Sequence, residues 1–195
     1  MYAATVSFVS LLMLYATIVS TETELEQIQR LNQQNLKNNI SREEQEWEGF
    51  VSWSYSLDLL KKMHQQAPSI IVKDGDEVIG YALVTLLEAS DFHKDLQTMI
   101  SNLRSVQYNG KSLMLYRFYL MGQVCIQKEY RGKGVFNLLY QQHKNVYGKE
   151  YELLVTEIVA DNKRSLRAHK KIGFDIIHTY PDGNQEWNVV VWSWL

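Results

Sequence analysis

The chain has 195 residues, the length of one domain, and its 46% apolar and 22% charged residues are typical of a globular protein. Twenty lysine and arginine residues against 22 acidic residues give a net charge of −2, so no basic excess points to nucleic acid or an anionic membrane as a partner. A single cysteine excludes an internal disulfide and a cysteine-based zinc site. The histidines show no metal-ligand spacing, and we therefore expect no metal.

The start of the chain is apolar, because the first charged residue is Glu22. Such a start suggests a signal peptide or a membrane anchor, but no basic residue precedes the apolar run and no A-x-A cleavage site follows it. The β-branched run and the acidic helix start after it favour a buried strand over 13–20. We expect an N-terminal extension of unclear role over 1–12, either an extra element or sequence upstream of a natural start at Met13, and a single domain over 13–195. An enzyme tethered through residues 1–21 is the alternative.

Hydrophobic periodicity, capping residues and turn residues predict the elements that follow. Helices are expected over 21–35, from 41 onward, over 56–67, 135–147 and 162–172. Strands are expected over 70–72 and 78–84 as a hairpin, over 113–127 with Gly122 as a bulge, and over 151–159, 174–179 and 187–194. Residues 88–111 indicate only helix and loop. The order predicts one α/β domain with a hairpin at each end and a strand–helix–strand–helix middle.

The segment 122–136 predicts a buried strand that ends in a basic, glycine-rich turn, which opens directly onto a helix. Glycines permit tight backbone conformations, and the free N–H groups of a helix start attract an anion. Arg131 and Lys133 add positive charge, as expected of a pyrophosphate-binding turn. The turn is not a Walker loop, since Lys133 is followed by Gly134, and Asn137 replaces the third glycine of a dinucleotide fingerprint. Taken alone, the Gly-Lys-Gly motif favours a structural turn over a binding site.

A second segment, 156–174, predicts a strand, a turn, a helix and a terminal Gly-Phe. Tyr-Arg-Gly-x-Gly at a helix start, followed by Asn-x-x-Ser-x-x-x-His-x-x-x-Gly-Phe, resembles the GNAT superfamily of acyl-CoA-dependent N-acyltransferases. The resemblance covers 14–195 in element order and is specific over 124–174. It implies the GNAT fold, an α/β (α+β) fold with a mixed, mostly antiparallel sheet of about six to seven strands flanked by helices. It also implies a cytoplasmic N-acetyltransferase that transfers an acetyl group from acetyl-CoA to a primary amine by direct attack in a ternary complex.

The resemblance also implies which residues bind acetyl-CoA. In this family the strand before the turn pairs its backbone with the pantetheine arm, and the turn amides hold the pyrophosphate. The matching positions are Val124, Cys125 and Ile126 on the strand, Arg131, Gly132, Lys133, Gly134, Val135, Phe136 and Asn137 at the turn, and Asn162 at the second helix. Phe136 departs from the family pattern of glycine or alanine, so its ring is expected to point away from the phosphates, into the helix–sheet core. Asn162 also suits a helix N-cap, and the two roles are compatible.

The family reaction requires a neutral amine, a hydrogen-bond donor for the oxyanion and a proton for the departing thiolate. A backbone amide near Cys125 is the candidate oxyanion donor. Glu157 matches the general base of some members, and His169 stands where many members have a tyrosine general acid. Each residue also has a structural explanation: Glu157 as a strand-end pairing residue, His169 as a packed helix residue and Cys125 as an apolar filler. If neither Glu157 nor His169 acts, solvent protonates the thiolate and positioning supplies much of the rate.

An aromatic cluster and the segment 88–118 are expected to form the acceptor pocket, with apolar walls. The cluster is Trp47, Phe50, Trp53 and Tyr55. The acceptor is expected to be a small-molecule or peptide amine, and the sequence does not distinguish an amino acid, a polyamine, an antibiotic or a protein N-terminus. Neither nucleic acid nor a membrane is expected as a partner, and the protein is expected to be a monomer or homodimer. The alternative function is a catalytically weak GNAT-fold protein that binds acyl-CoA, because Phe136 departs from the pattern and the tyrosine is missing.

Overall fold

A computed structural model describes residues 14–48 and 50–195. The extension expected over 1–12, and most of the proposed anchor, lie outside the described residues. Within the described part of the chain, no helix has both the length and the apolar character needed to cross a bilayer.

The helices and strands that the sequence predicts occur in the predicted order, and a short strand pair within 107–112 adds to them where only helix and loop were expected. The strands are β1 (Tyr15–Ile18), β2 (Ile70–Asp74), β3 (Glu77–Thr85), β4 (Gln107–Tyr108), β5 (Lys111–Ser112), β6 (Phe118–Ile126), β7 (Leu153–Val159), β8 (Asp175–Asp182) and β9 (Gln185–Ser193). The helices are α1 (Glu22–Gln34), α2 (Arg42–Glu48), α3 (Leu57–Gln66), α4 (Lys94–Leu103), α5 (Val135–Tyr147) and α6 (Lys163–Ile172).

Seven strands form one sheet in the order β1-β2-β3-β6-β7-β9-β8, and β4 pairs only with β5. The β6–β7 pair is parallel, and the other neighbouring pairs of the large sheet are antiparallel. This is the mixed, mostly antiparallel sheet that the sequence predicts.

Helices cover both faces of the sheet. Successive strand residues point to opposite faces, so the apolar strands bury both sides. Helices α1 and α3 pack on one face against Tyr81 and Leu83, and α4 packs beside them against β7 and β9. Helix α5 packs on the other face, where Leu139 and Tyr140 belong to the same buried cluster as residues of β2, β3 and β6.

The helix boundaries follow from local capping. Thr21 and Glu24 form a reciprocal capping box at the start of α1, and the Ser56 hydroxyl accepts a hydrogen bond from Leu59 N–H at the start of α3. Gly173 ends α6 with a left-handed φ of 115°, the conformation in which glycine is favoured after a helix.

Two local predictions are wrong. Residues 113–115 form a 3-10 turn instead of the start of β6, whose first residue is Phe118. The final hairpin is longer than predicted, because Pro181 and Asp182 still pair with β9. The capping and turn residues did not mark these positions.

A bulge in β6 and the separation of β6 from β7 shape the functional site in the middle of the sheet. Between the pairs Ala82–Val124 and Val84–Met121, β6 contains one more residue than β3, which confirms the bulge predicted at Gly122. A Cβ atom at Gly122 would lie 2.5 Å from Thr85 Oγ1, so the bulge requires glycine. Beyond it, β6 and β7 diverge, since they pair only over 118–120 and 153–155.

Candidate functional site

Two neighbouring cavities open where β6 and β7 diverge. One, here called the acidic cavity, has a volume of about 440 Å³ and extends toward α4 and the β8–β9 hairpin. The other, the basic cavity, has a volume of about 490 Å³ and extends toward the glycine turn and α6. Both cavities are lined by Phe50, Val51, Val124, Asn162 and Ser165. Because the two cavities share these lining residues, ligands bound in them would meet beside the C-terminal half of β6.

The glycine turn forms one end of the basic cavity. Gly132 and Gly134 have φ values of 75° and 85°, in the left-handed region that favours glycine. Gly134 is the N-cap of α5, and no side-chain hydrogen bond caps this helix start. The first N–H groups of the helix are therefore available to an anion. The structure therefore contains the glycine-rich turn that the sequence predicts at the start of a helix.

Basic side chains surround this turn, although Arg131 is already engaged. Its guanidinium forms a salt bridge with Glu48 and donates to Asn35 Oδ1 at 2.5 Å and to the Ile126 carbonyl at 3.1 Å. Arg131 thus ties the turn to α1 and α2 while it lines the cavity. Lys133 is exposed, with its ammonium 5.5 Å from the centre of the Tyr130 ring.

Helix α6 supplies further positive charge that the sequence analysis missed. Arg164, Arg167 and Lys171 line the basic cavity. Their spacing of three and four residues places them on one helix face, which is a signal that the sequence already contains.

Phe136 does not block the turn. Its ring packs against Tyr140 and His169, with centroid distances of 4.8 and 5.1 Å, and is only partly buried. The side chain therefore lies between α5 and α6, on the side expected from the sequence, although Phe136 also contributes to the cavity wall.

The strand residues of the basic cavity are Val124, Cys125 and Ile126. They pair with β3 on one side and, among the strands that the structure describes, have no partner on the β7 side. Burial raises the pKa of the Cys125 thiol to about 12, against the opposing charge of Arg131. A thiol that stays protonated is a poor nucleophile, which favours Cys125 as an apolar filler.

Asn162 lies at the junction of the two cavities. Its Oδ1 accepts a hydrogen bond from Ser165 N–H at 3.1 Å, which makes it the N-cap of α6. The N-cap role predicted for this residue is therefore confirmed, and the side chain still lines both cavities.

A buried amide network holds the aromatic wall of the acidic cavity. Asn32 is fully buried, and its amide donates to the Trp53 carbonyl at 2.9 Å and to Gln123 Oε1 at 2.7 Å. Asn32 Oδ1 accepts from Tyr55 N–H at 3.2 Å, and Gln123 also accepts from the Tyr81 hydroxyl at 2.6 Å. These bonds fix the segment 53–55 against the bulge of β6. Phe50, Trp53 and Tyr55 of the predicted aromatic cluster line this cavity, whereas Trp47 is 72% exposed and does not.

Glu157 points from β7 into the acidic cavity. Its Oε1 atom is buried and has no hydrogen-bond partner among the described residues. Burial raises the pKa of Glu157 to about 7; the Tyr180 hydroxyl opposes this shift and the charge of Asp182 adds to it. A carboxylate with a pKa near 7 is suited to accept a proton at neutral pH.

His169 is a buried residue between α5 and α6. Its Nδ1 lies 2.8 Å from the Ser165 carbonyl, so we assign the ring proton to Nδ1, and its Nε2 then accepts the Tyr140 hydroxyl at 2.5 Å. Burial lowers the pKa of His169 to about 4. The imidazole is therefore neutral at pH 7, and the geometry favours the packed-residue explanation over proton donation.

Three further polar residues line the acidic cavity, two from the segment 88–118 that was expected there and one, Asp182, from outside it. Asp95 and Asn102 come from α4, and Asp182 comes from the end of β8. Asp182 and Glu157 line the same cavity although β9 separates their strands. Nothing in the local sequence marks such a pair.

These features agree with the comparisons. The chain belongs to the acetyltransferase (GNAT) family, whose family model matches residues 34–174. No curated protein sequence matches the chain.

Solved structures of acetyltransferases share the fold. Ard1 from Thermoplasma volcanium has a TM-score of 0.62 at 13% identity, covering 92% of this chain and 97% of its own. Arabidopsis thaliana NAA60 in complex with acetyl-CoA has a TM-score of 0.61 at 13% identity, covering 92% and 99%. The ribosomal-protein-S18-alanine N-acetyltransferase from Escherichia coli has a TM-score of 0.60 at 11% identity, covering 93% and 94%. At these identities the similarity establishes the fold alone, and it confirms the predicted GNAT architecture.

Proposed function

We propose that the protein is an N-acetyltransferase that moves an acetyl group from acetyl-CoA to a primary amine in a ternary complex. The observation that carries this proposal is the pair of adjoining cavities of opposite charge, one at a helix N-terminus and one around Glu157. In the reaction the amine nitrogen forms a bond to the acetyl carbon, the carbon–sulfur bond breaks, and the thiolate leaves and takes a proton.

The basic cavity fits acetyl-CoA. The pyrophosphate would bind to the amides of 132–137, with Arg131 and Lys133 adding charge. The arginines and Lys171 of α6 suit the remaining phosphate. The exposed backbone edge of 124–126 suits the pantetheine amides, and Asn162 lies at the end of that path. A backbone N–H near Cys125 remains our candidate for the oxyanion donor.

Glu157 is proposed as the general base, directly or through one water. The attacking amine must be neutral, and a carboxylate whose pKa is near 7 removes its proton without a large energetic cost. The protonated Glu157 then releases this proton to solvent water before the next turnover.

His169 is proposed as a positioning residue. Its neutral imidazole links Tyr140 of α5 to the Ser165 carbonyl of α6 and so holds the wall that the two cavities share. The departing thiolate then takes its proton from solvent. In this respect the role implied by the family tyrosine does not transfer to His169.

The test is to measure acetyl-CoA binding by calorimetry and thiol release with a panel of amines. Binding together with amine-dependent thiol release supports the proposal. Binding without release for any amine would favour the alternative, a GNAT-fold protein that holds acyl-CoA without turnover. No binding would refute the cofactor assignment.

A further inference from the structure

The acidic cavity carries charged side chains of only one sign among the described residues. It is lined by the carboxylates of Asp95, Glu157 and Asp182, and by no lysine or arginine among the described residues. The three carboxylates come from α4, β7 and β8, so their convergence is a property of the fold and not of one local motif.

The two aspartates of this cavity are not neutralised by a fixed cation. Both are exposed, and neither forms an ion pair with a lysine or arginine in the described part of the chain. The His93 imidazole lies 3.7 Å from the Asp95 carboxylate. Unpaired charges of one sign in a concave site attract ligands of the opposite sign and repel carboxylates.

Apolar and aromatic surface connects the acidic groups. Phe50, Trp53 and Trp187 line the same cavity. Trp53 and Tyr55 pack with ring centroids 4.4 Å apart, so the wall is rigid. Methylene groups would pack on such a wall, and an ammonium group is attracted to aromatic faces.

We propose that the acceptor is a small di- or polyamine, in which a short aliphatic chain joins the reacting primary amine to a second cationic nitrogen. This inference rests on the proposed function. The reacting amine lies next to Glu157 in its neutral form, the second nitrogen stays charged and faces Asp95 or Asp182, and the chain lies on the aromatic wall. Amines that carry a carboxylate, such as amino acids, are rejected.

The experiment compares acceptors of equal chain length with the full-length protein and acetyl-CoA. The probes are 1,4-diaminobutane, 1-aminobutane and 4-aminobutanoate, with an uncharged peptide bearing a free N-terminus as a fourth. We expect kcat/KM for the diamine to exceed that for 1-aminobutane by about tenfold or more, which corresponds to about 1.4 kcal/mol. 4-Aminobutanoate should be slower still, and added salt should reduce the preference for the diamine.

Two variants test the named carboxylates. Asp95→Asn and Asp182→Asn should each lower the diamine-to-monoamine ratio of kcat/KM by roughly threefold, the size expected for an exposed charge pair. Asp175→Asn is the matched control, because Asp175 is exposed on the same strand as Asp182 but does not line the cavity.

The failures are distinguishable. Equal rates for diamine and monoamine, or a preference for 4-aminobutanoate or the peptide, overturn the diamine inference and leave the acetyltransferase assignment standing. Acetyl-CoA binding with none of these amines acetylated overturns the inference as well. Failure to bind acetyl-CoA removes the proposed function, and the inference with it.

Discussion

The two cavities of this protein share a wall and differ in how they are built. The basic cavity uses backbone N–H groups of one turn and side chains of one helix, so most of it comes from two short segments. The acidic cavity uses side chains from α4, β7, the β8–β9 hairpin and the segment 50–55, which are far apart in sequence. Under the proposed function, the anion site therefore depends mainly on local sequence, whereas the acceptor site depends on the whole fold.

The two cavities also differ in the sign of their charged side chains. Arginine and lysine side chains gather where the phosphates would bind, and carboxylates gather where the amine would bind. A misplaced substrate would meet charge of its own sign in either cavity, so the contrast favours a defined orientation of donor and acceptor.

The largest effect is expected from Glu157→Gln in the acidic cavity. The amide keeps the shape of the side chain but cannot accept the amine proton, so turnover should fall by about 10²- to 10⁴-fold. With the native protein, turnover should rise with pH through about 7, because the base is the deprotonated form and burial raises its pKa to about 7. The variant should lose this inflection, as measured in the pH–rate profile under saturating acetyl-CoA. Glu26→Gln, exposed on α1, is the control.

Glu157→Gln should lower turnover but raise the stability of the folded protein above pH 7. A raised carboxyl pKa means that the folded state binds the proton more tightly, so the stability from this group falls as pH rises from about 4.5 to about 7. Above pH 7 the variant should be more stable than the native protein by on the order of 1–3 kcal/mol in denaturant unfolding. A variant that loses both turnover and stability at pH 8 would contradict the burial of a charged Glu157.

The next largest effect is expected in the basic cavity from Gly134→Val. No atom would clash with the added Cβ, so its cost comes from the φ of 85°, which a β-branched residue adopts only with strain of about 1–3 kcal/mol. Rearrangement of the turn would misplace the amides, and acetyl-CoA affinity measured by calorimetry should fall by roughly tenfold to hundredfold. Gly134→Asn should retain more affinity, since asparagine tolerates this conformation better.

Gly75→Val separates binding from folding stability. Gly75 has a φ of 58° in the β2–β3 turn, with open space around it, so its substitution has a similar backbone cost away from either cavity. Equal losses of acetyl-CoA affinity in the Gly75 and Gly134 variants would mean that the turn amides do not hold the pyrophosphate.

The contrast between the cavities also explains how much could be predicted from the sequence. Helix caps, the glycine turn and the Gly122 bulge are local features, and the sequence predicts them with the element order. Asp182 could not be predicted as a neighbour of Glu157, because their proximity depends on the register of β9 between β7 and β8. The neutral state of the His169 imidazole could not be predicted either, because it depends on the burial of the ring against Tyr140 from another helix.

The smallest effect, and the sharpest comparison, comes from two neighbouring charges on α6. Arg167 lines the basic cavity, whereas Lys170 is exposed on the same helix and does not. Arg167→Gln should weaken acetyl-CoA binding by about threefold to tenfold at low salt, because an exposed guanidinium gives only a modest, screened attraction to phosphate. Lys170→Gln should change it much less, although both variants remove one positive charge from the protein. Titrations at low and high salt should show the Arg167 effect shrinking as screening increases. Equal effects of the two variants would mean that binding responds to overall charge and not to the face that α6 turns toward the cavity.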